Sequence, residues 1–421
     1  MTSHSDLADN ILPSDRPTHL APLRHDFRPW HKVRKQYVRQ EQWNELTARM
    51  VKRYLKAHLQ NEAADWSLDE DPAADPAVSD VPESVRLDRP LRCLVIPGDD
   101  LLDIRSLWEY LQPLGCYIRY LGFNESHGSD QIGTRIHIAN NEVTSLSRVA
   151  HDSHVLADRF QAIVSHQSQA YRLLREYGPY HVVNLDLCDS LFPTAPGDPS
   201  RYLSALHRLA EYQMMYQTTP WLLFVTSQVE PAAACTPELQ KLCQPITINC
   251  QSHPVFAPRL GTLFRLNPYT VETNTLDISS LDDEEMVRIF GLALGKWLIS
   301  LSMSCSPSWI AQMLTSHRYC IKATPRVEML SLAFQFRPKH LPPRDPTGLS
   351  TAQMNVPTFP TELDSATKLI EAVERIRDVD ELLNADAELW ETVLCSSADL
   401  LESAGYDRDS YLAWVAAGEA S

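Results

Sequence analysis

RCLVIPGDDLLDIRSLWEYLQPLGCYIRYLGFN, residues 92–124, reads as strand, turn, helix and strand. The run CLVI is apolar and β-branched and ends at Pro97-Gly98-Asp99-Asp100. The residues after it carry apolar side chains at helical spacing and stop at Gly115, a residue suited to ending a helix. YIRYLGFN is a second strand. Two strands joined by a helix in about thirty residues are a βαβ unit, and such a unit almost obliges a parallel sheet.

Working outward, GTRIHIANNEVTSLSRVAHD supplies the next crossover helix, and SHVLADRF a short third strand ending at Asp158. FQAIVSHQSQAYRLLREYG is helical and leads into YHVVNLDL, the clearest buried strand of the chain. PSRYLSALHRLAEYQMMYQT then reads as a helix and WLLFVTSQ as a fifth strand. Prolines, cysteines and polar residues from Pro231 to Pro268 defeat any periodic assignment. Asp282 to Ser316 reads as one or two long helices in which Gly291 and Gly295 allow close packing, and HRYCIKA and RVEMLSLAFQF as an antiparallel pair at the sheet edge. The expected fold is therefore α/β, a doubly wound, mostly parallel Rossmann-like sheet with an N-terminal basic helix and a C-terminal helical extension. The expected divisions are a basic arm and helix over 1–60, an acidic Pro-rich linker over 61–90, the sheet domain over 91–340 and an acidic helical segment over 341–421.

A chain of 421 residues with 44% hydrophobic and 22% charged residues has the composition of a globular protein. No stretch reads as a membrane span or as a signal peptide, so the expected setting is cytoplasmic, without membrane association. Nine cysteines include no CxxC pair and read as reduced thiols, and no metal site is expected. GxSxG, P-loop, GxGxxG and HExxH motifs are all absent. The net charge of -16 argues against nucleic-acid binding by the surface as a whole. One segment runs against that balance. Residues 24–56 are strongly basic, Lys32, Arg34, Lys35 and Arg39 are interleaved there with Trp30, Tyr37 and Trp43, and a helix is expected from about Lys35 to Leu59. Cations for phosphates beside rings for stacking suit a nucleic-acid contact through Lys32, Arg34, Lys35, Arg39 and Trp43. The alternative is a helix that lays its aromatic face on the core or docks on acidic surface of its own chain.

Ligands of open α/β sheets bind outside the carboxyl ends of the strands, where the strand order reverses. Those ends carry Gly98, Asp99 and Asp100, then Asn124 and Glu125, then Asp158, then Asn184 and Asp186. This order of elements resembles the class I methyltransferases that use S-adenosylmethionine, over residues 92–230. The resemblance implies that Gly98, Asp99 and Asp100 stand for the glycine-rich loop, Asn124 and Glu125 for the ribose-binding acid, and Asp158 for the acid near the adenine. Asp186 and Asn184 would then lie beside the methyl donor. The sequence departs from the pattern at the loop, where a single glycine stands in place of two or three, and an ordinary strand-to-helix turn capped by an Asp is the competing reading. The resemblance implies methyl transfer to a substrate such as nucleic acid. The alternatives are a catalytically inactive Rossmann-like binding subunit of a larger bacterial complex, for example in antiviral defence, and a phosphoryl-transfer enzyme with Asp99, Asp100 and Asp186 around a divalent ion.

Overall fold

The computed structural model describes residues 22–60, 90–125, 130–187, 189–192, 202–230, 237–254, 256–264, 281–323, 326–339 and 358–418. The linker expected over 61–90 lies, but for Pro90, outside the described residues, as does Cys188.

An N-terminal rod opens the fold: α1 (Val33–Val38), a π-helical stretch (Arg39–Asn44) and α2 (Glu45–Gln60). The βαβ unit follows as β1 (Leu91–Val95), α3 (Leu102–Leu111) and β2 (Ile118–Phe123), then α4 (Asp130–Ser145), β3 (His154–Leu156), α5 (Gln169–Tyr177) and β4 (Val182–Asp186). Next come α6 (Tyr202–Tyr216), β5 (Trp221–Val229), α7 (Pro237–Ser252), α8 (Phe256–Leu263) and α9 (Asp283–Ser304). The chain continues as β6 (Trp309–Met313), β7 (His317–Ala323), β8 (Arg326–Pro338), α10 (Glu362–Glu374), β9 (Arg377–Asp378), α11 (Val379–Ala385), α12 (Ala387–Ser403) and α13 (Arg408–Ala416).

All nine strands form one sheet in the order β3-β2-β1-β4-β5-β8-β7-β9, with β6 also on β8. The first five strands of that order are parallel throughout. β8 turns antiparallel along β5, from Trp221↔Phe336 to Val229↔Glu328. Its opposite edge is shared: β7 takes the first half and β6 the second. The expected edge pair is present, but β8 is an interior strand.

Alternation along the central strands explains why both faces are dry. Leu94, Val183, Leu185, Leu223 and Val225 belong to one core with α5 to α10, whereas Cys93, Val95, Val182, Leu222 and Phe224 belong to a second core with α1 to α4 and α11 to α13. The molecule is thus a mixed α/β protein with helices on both sides of a mostly parallel sheet. The acidic C-terminal helices are not an appended extension, because α10 packs into the first core and α11 to α13 into the second.

Two expectations need correction. Asp282 to Ser316 is one helix followed by a strand, since α9 stops at Ser304 before Pro307, and Trp309-Ile310-Ala311 pairs with β8. Phe160–Val164 is a 3-10 turn separate from α5, which is capped by Ser168, whose side chain accepts from the Tyr171 amide. α9 is long and apolar enough by length and composition to cross a membrane, so a candidate span exists where none was read, but 72% of that window is buried inside the fold. Close packing explains Gly295, where an added Cβ would stand 2.5 Å from Leu369 of α10.

Candidate functional site

The strand order reverses between β1 and β4: from β1 the chain steps outward to β2 and β3, and from β4 to β5. The carboxyl ends of β1 and β4 therefore open a crevice between their departing loops. After β1, Ile96 is still tied to β4 by its amide on the Asn184 carbonyl at 3.1 Å. The turn Pro97 to Asp100 then leads to Leu101, fully buried and left-handed at φ 51. A left-handed leucine costs about 1 kcal/mol or more, so the packing that seals Leu101 also holds the turn in a strained form. A Cβ at Gly98 would meet no atom within 4 Å, so packing does not require that glycine. Gly122 is the glycine that close approach demands, because a Cβ there would lie 3.0 Å from Val155 and 3.2 Å from Pro97.

One cleft of about 230 Å³ occupies this crevice. Its lining includes Gly98, Asp99, Asp100, Asn124, Glu125, Asp158 and Asp186, together with Asp103, Phe123, Arg159, Phe160, Asp189, Tyr202, Trp30 and Arg39. The loops after β1, β2, β3 and β4 thus meet at a single site. Asn184 is not part of the lining: it is 5% exposed, lies in β4 beside Val95, and its Oδ1 has no hydrogen-bond partner among the described residues.

Each lining group has its own environment. Asn124 Nδ2 donates to the Pro97 carbonyl at 2.8 Å, tying the β2 loop to the β1 turn. Glu125 and Arg159, both exposed, form an ion pair. Asp158 Oδ1 accepts from the Arg159 amide at 2.7 Å. Burial, and then the neighbouring Asp100, push the Asp99 carboxyl above its usual range.

The basic N-terminal segment is a wall of this cleft. Lys35 Nζ donates to Asp186 Oδ1 at 2.5 Å and to the Tyr319 hydroxyl at 3.2 Å, and lies 4.8 Å from the Trp43 ring centre. Arg39 Nε donates to Asp103 Oδ1 at 2.8 Å. Arg24 pairs with Asp100, whose Oδ2 also accepts from the Tyr406 hydroxyl at 2.8 Å. Lys35, Arg39 and Trp43 are each under 5% exposed and face inward. Lys32 donates to the Ile321 carbonyl at 2.9 Å and Arg34 pairs with Asp380. In this fold the cations expected to meet nucleic acid are engaged on the chain's own acids and carbonyls.

Burial disfavours charge on both members of the Lys35–Asp186 pair. The carboxylate at 2.5 Å, with Tyr319 and Asp103 behind it, outweighs that cost at Lys35 and holds the ammonium above its ordinary pKa. The same ammonium opposes the upward push of burial on Asp186, so the two form an ion pair. Asp186 keeps 18% of its side chain exposed. With Asp100 and Asp186 already held by cations, the proposed divalent-ion cluster of Asp99, Asp100 and Asp186 does not assemble. Among the described residues no three His, Cys, Asp or Glu side chains are placed to hold a metal.

Asp103 and Arg39 were not read from the sequence as parts of this cleft, nor Arg24 as the partner of Asp100. The signal was charge balance: Asp100 and Asp186 follow apolar strands, Asp103 lies in the first turn of α3, and each needs a counter-charge, which a buried carboxylate rarely lacks. The dense cationic run before β1 supplies them.

Among curated proteins and solved structures no match is found. One family model matches residues 24–416, from the arginine that pairs with Asp100 to the last turn of α13. The chain belongs to the PP_RS20740-like family.

Proposed function

We propose that the cleft binds S-adenosylmethionine and that the protein is methyltransferase-like, with a Rossmann-like sheet as its frame. The observation that carries the reading is the meeting of the β1, β2, β3 and β4 loops in one cleft at the switch point of a 3-2-1-4-5 sheet. Its acidic lining favours a ligand with cationic groups over a bare polyphosphate. When bound, this cofactor supplies an electrophilic methyl group on a sulfonium. Glu125 and Asp158 would accept from the ribose and adenine at the β2 and β3 ends, between the walls Phe123 and Phe160. Asp186 would orient the acceptor: Lys35 holds its Oδ1, and an acceptor N–H or O–H donating to the other oxygen would turn its lone pair toward the methyl carbon.

A second reading is favoured by one specific observation. Asp186 is engaged by Lys35, and the turn after β1 carries two aspartates where extra glycines would open it. A binding subunit that holds the cofactor or its demethylated product without turnover would have this arrangement. Calorimetry of the purified chain with S-adenosylmethionine tests both, and one-site binding is expected. Folded protein that gives no heat at saturating concentration would overturn both readings of the cleft. Binding without methyl transfer to any offered acceptor would leave the second.

A further inference from the structure

A second cavity, like the cleft about 230 Å³ in volume, lies at the other end of the sheet. Asp186 pairs with Thr226 at the carboxyl ends of the parallel strands, whereas Trp221, at the start of β5, pairs with Phe336 of β8, the neighbour of Arg337. Trp221 and Thr226 are separated by roughly 17 Å of strand, so the two cavities open apart from each other. Residues 310–313 of β6 line the second cavity in succession, as a strand seen edge-on does, and among the described residues β6 pairs with β8 alone. The facing wall is α10, where Lys368, Glu371 and the C-cap Arg375 follow one another at three- and four-residue steps and so share a face. Charge sets this cavity apart from the acidic cleft. Arg337, Lys368 and Arg375 all line it, and the acid among the lining residues, Glu371, accepts from Arg259 Nη1 at 2.6 Å. In a chain of net charge -16, three cations gathered around one cavity mark a place for an anion.

We propose that this cavity binds a small phosphate monoester, independently of what occupies the cleft. A phosphate monoester carries about 1.5 to 2 negative charges at neutral pH, more than a carboxylate, and the planar fork of arginine matches its oxygens. The edge of β6 adds backbone N–H donors that no neighbouring strand takes. Ile310, Met313 and Leu369 give the organic body an apolar wall, and Gln312 and Ser365 give its hydroxyls polar partners.

The test is calorimetry on the full chain at constant ionic strength with ribose 5-phosphate, inorganic phosphate and ribose. The wild type is expected to bind the ester at one site, inorganic phosphate more weakly because it leaves the apolar wall unfilled, and ribose not at all. Lys368→Met removes an exposed ammonium and should weaken the ester by about tenfold or more while keeping the melting temperature. Arg375→Gln should weaken it to a similar degree, whereas Arg172→Gln, which removes an exposed cation of α5 outside the cavity, should leave it unchanged. Folded wild type that gives no heat with the ester, takes ribose equally well or prefers inorganic phosphate overturns the proposal. Equal weakening in all three variants overturns it too. Ester bound in the cofactor cleft would survive both Lys368→Met and Arg375→Gln, and that result also overturns it. If Arg375→Gln fails to fold, Lys368→Met decides alone.

Discussion

Asp186 was legible as a special residue because an acid at the end of a strand as apolar as HVVNLDL needs a reason to be there. Its partner was not legible, because Lys35 lies 151 positions away and reads locally as one more cation of a basic helix. Removing one partner of a buried ion pair leaves an uncompensated charge, so Lys35→Met is expected to destabilise the fold by about 3–5 kcal/mol. Lys35→Met combined with Asp186→Leu should recover most of that loss, as a double-mutant cycle by urea denaturation would measure. Two buried histidines add a pH dependence that no motif announces. Burial, then the Arg39 and Arg24 charges, lower His31 from its ordinary 6.5 to about 3, and burial, then Arg377, lower His317 from 6.5 to about 3. Between those values the unfolded chain binds more protons than the native one. The stabilisation from neutral histidine is therefore complete above about pH 6.5 and is lost as pH falls toward 3. Melting temperature should drop on acidification from about pH 7.5 to 5. The drop should be shallower in His317→Phe, since both ring nitrogens of His317 lack partners among the described residues; an unchanged slope would contradict the assignment.

At the scale of elements, the parallel strands could be read because each carries its own pattern: apolar runs of five or so residues with helical spacing between them. β6 could not, because WIAQM is short, follows a long helix, and becomes a strand only through β8, whose own 13 residues are long enough to serve three partners. The π-helical stretch Arg39–Asn44 was equally hidden, since no periodicity marks an extra residue in a turn. Its place has a consequence. Lys35 and Arg39 reach the strand ends from one side of it, while Gln42 donates to the Thr315 and Ser331 carbonyls, each at 3.0 Å, and Leu46 packs in the core beyond. Deleting the exposed Glu41 would restore α-helical winding and turn these two groups by about 100° relative to each other. The expected loss is at least about 3 kcal/mol, the cost of stranding one buried charge, read as a lower urea midpoint. A neutral deletion would show that the π turn is incidental.

For the whole molecule, the basic arm and acidic C-terminal helices looked like separate appendages because charge dominated their sequences. Apart from α10, which packs into the first core, they are instead the outer layer of the second: Val33, Tyr37, Val38 and Leu46 share it with Val393, Leu401 and Tyr411, and Tyr411 donates to the His31 carbonyl at 2.8 Å. Their apolar spacing was visible, but which layer they completed depended on contacts between chain ends. A chain begun at residue 90 would uncover that layer along with Asp103 and Asp186. It should be insoluble or lack a cooperative melting transition, and a stable, monomeric product would contradict this architecture. The central claim concerns the cleft that the arm closes. A crystal structure of the full chain grown with S-adenosylhomocysteine tests it most directly. The prediction is ligand density between Gly98, Glu125, Asp158 and Asp186, and density elsewhere or an empty cleft at saturating ligand would contradict it.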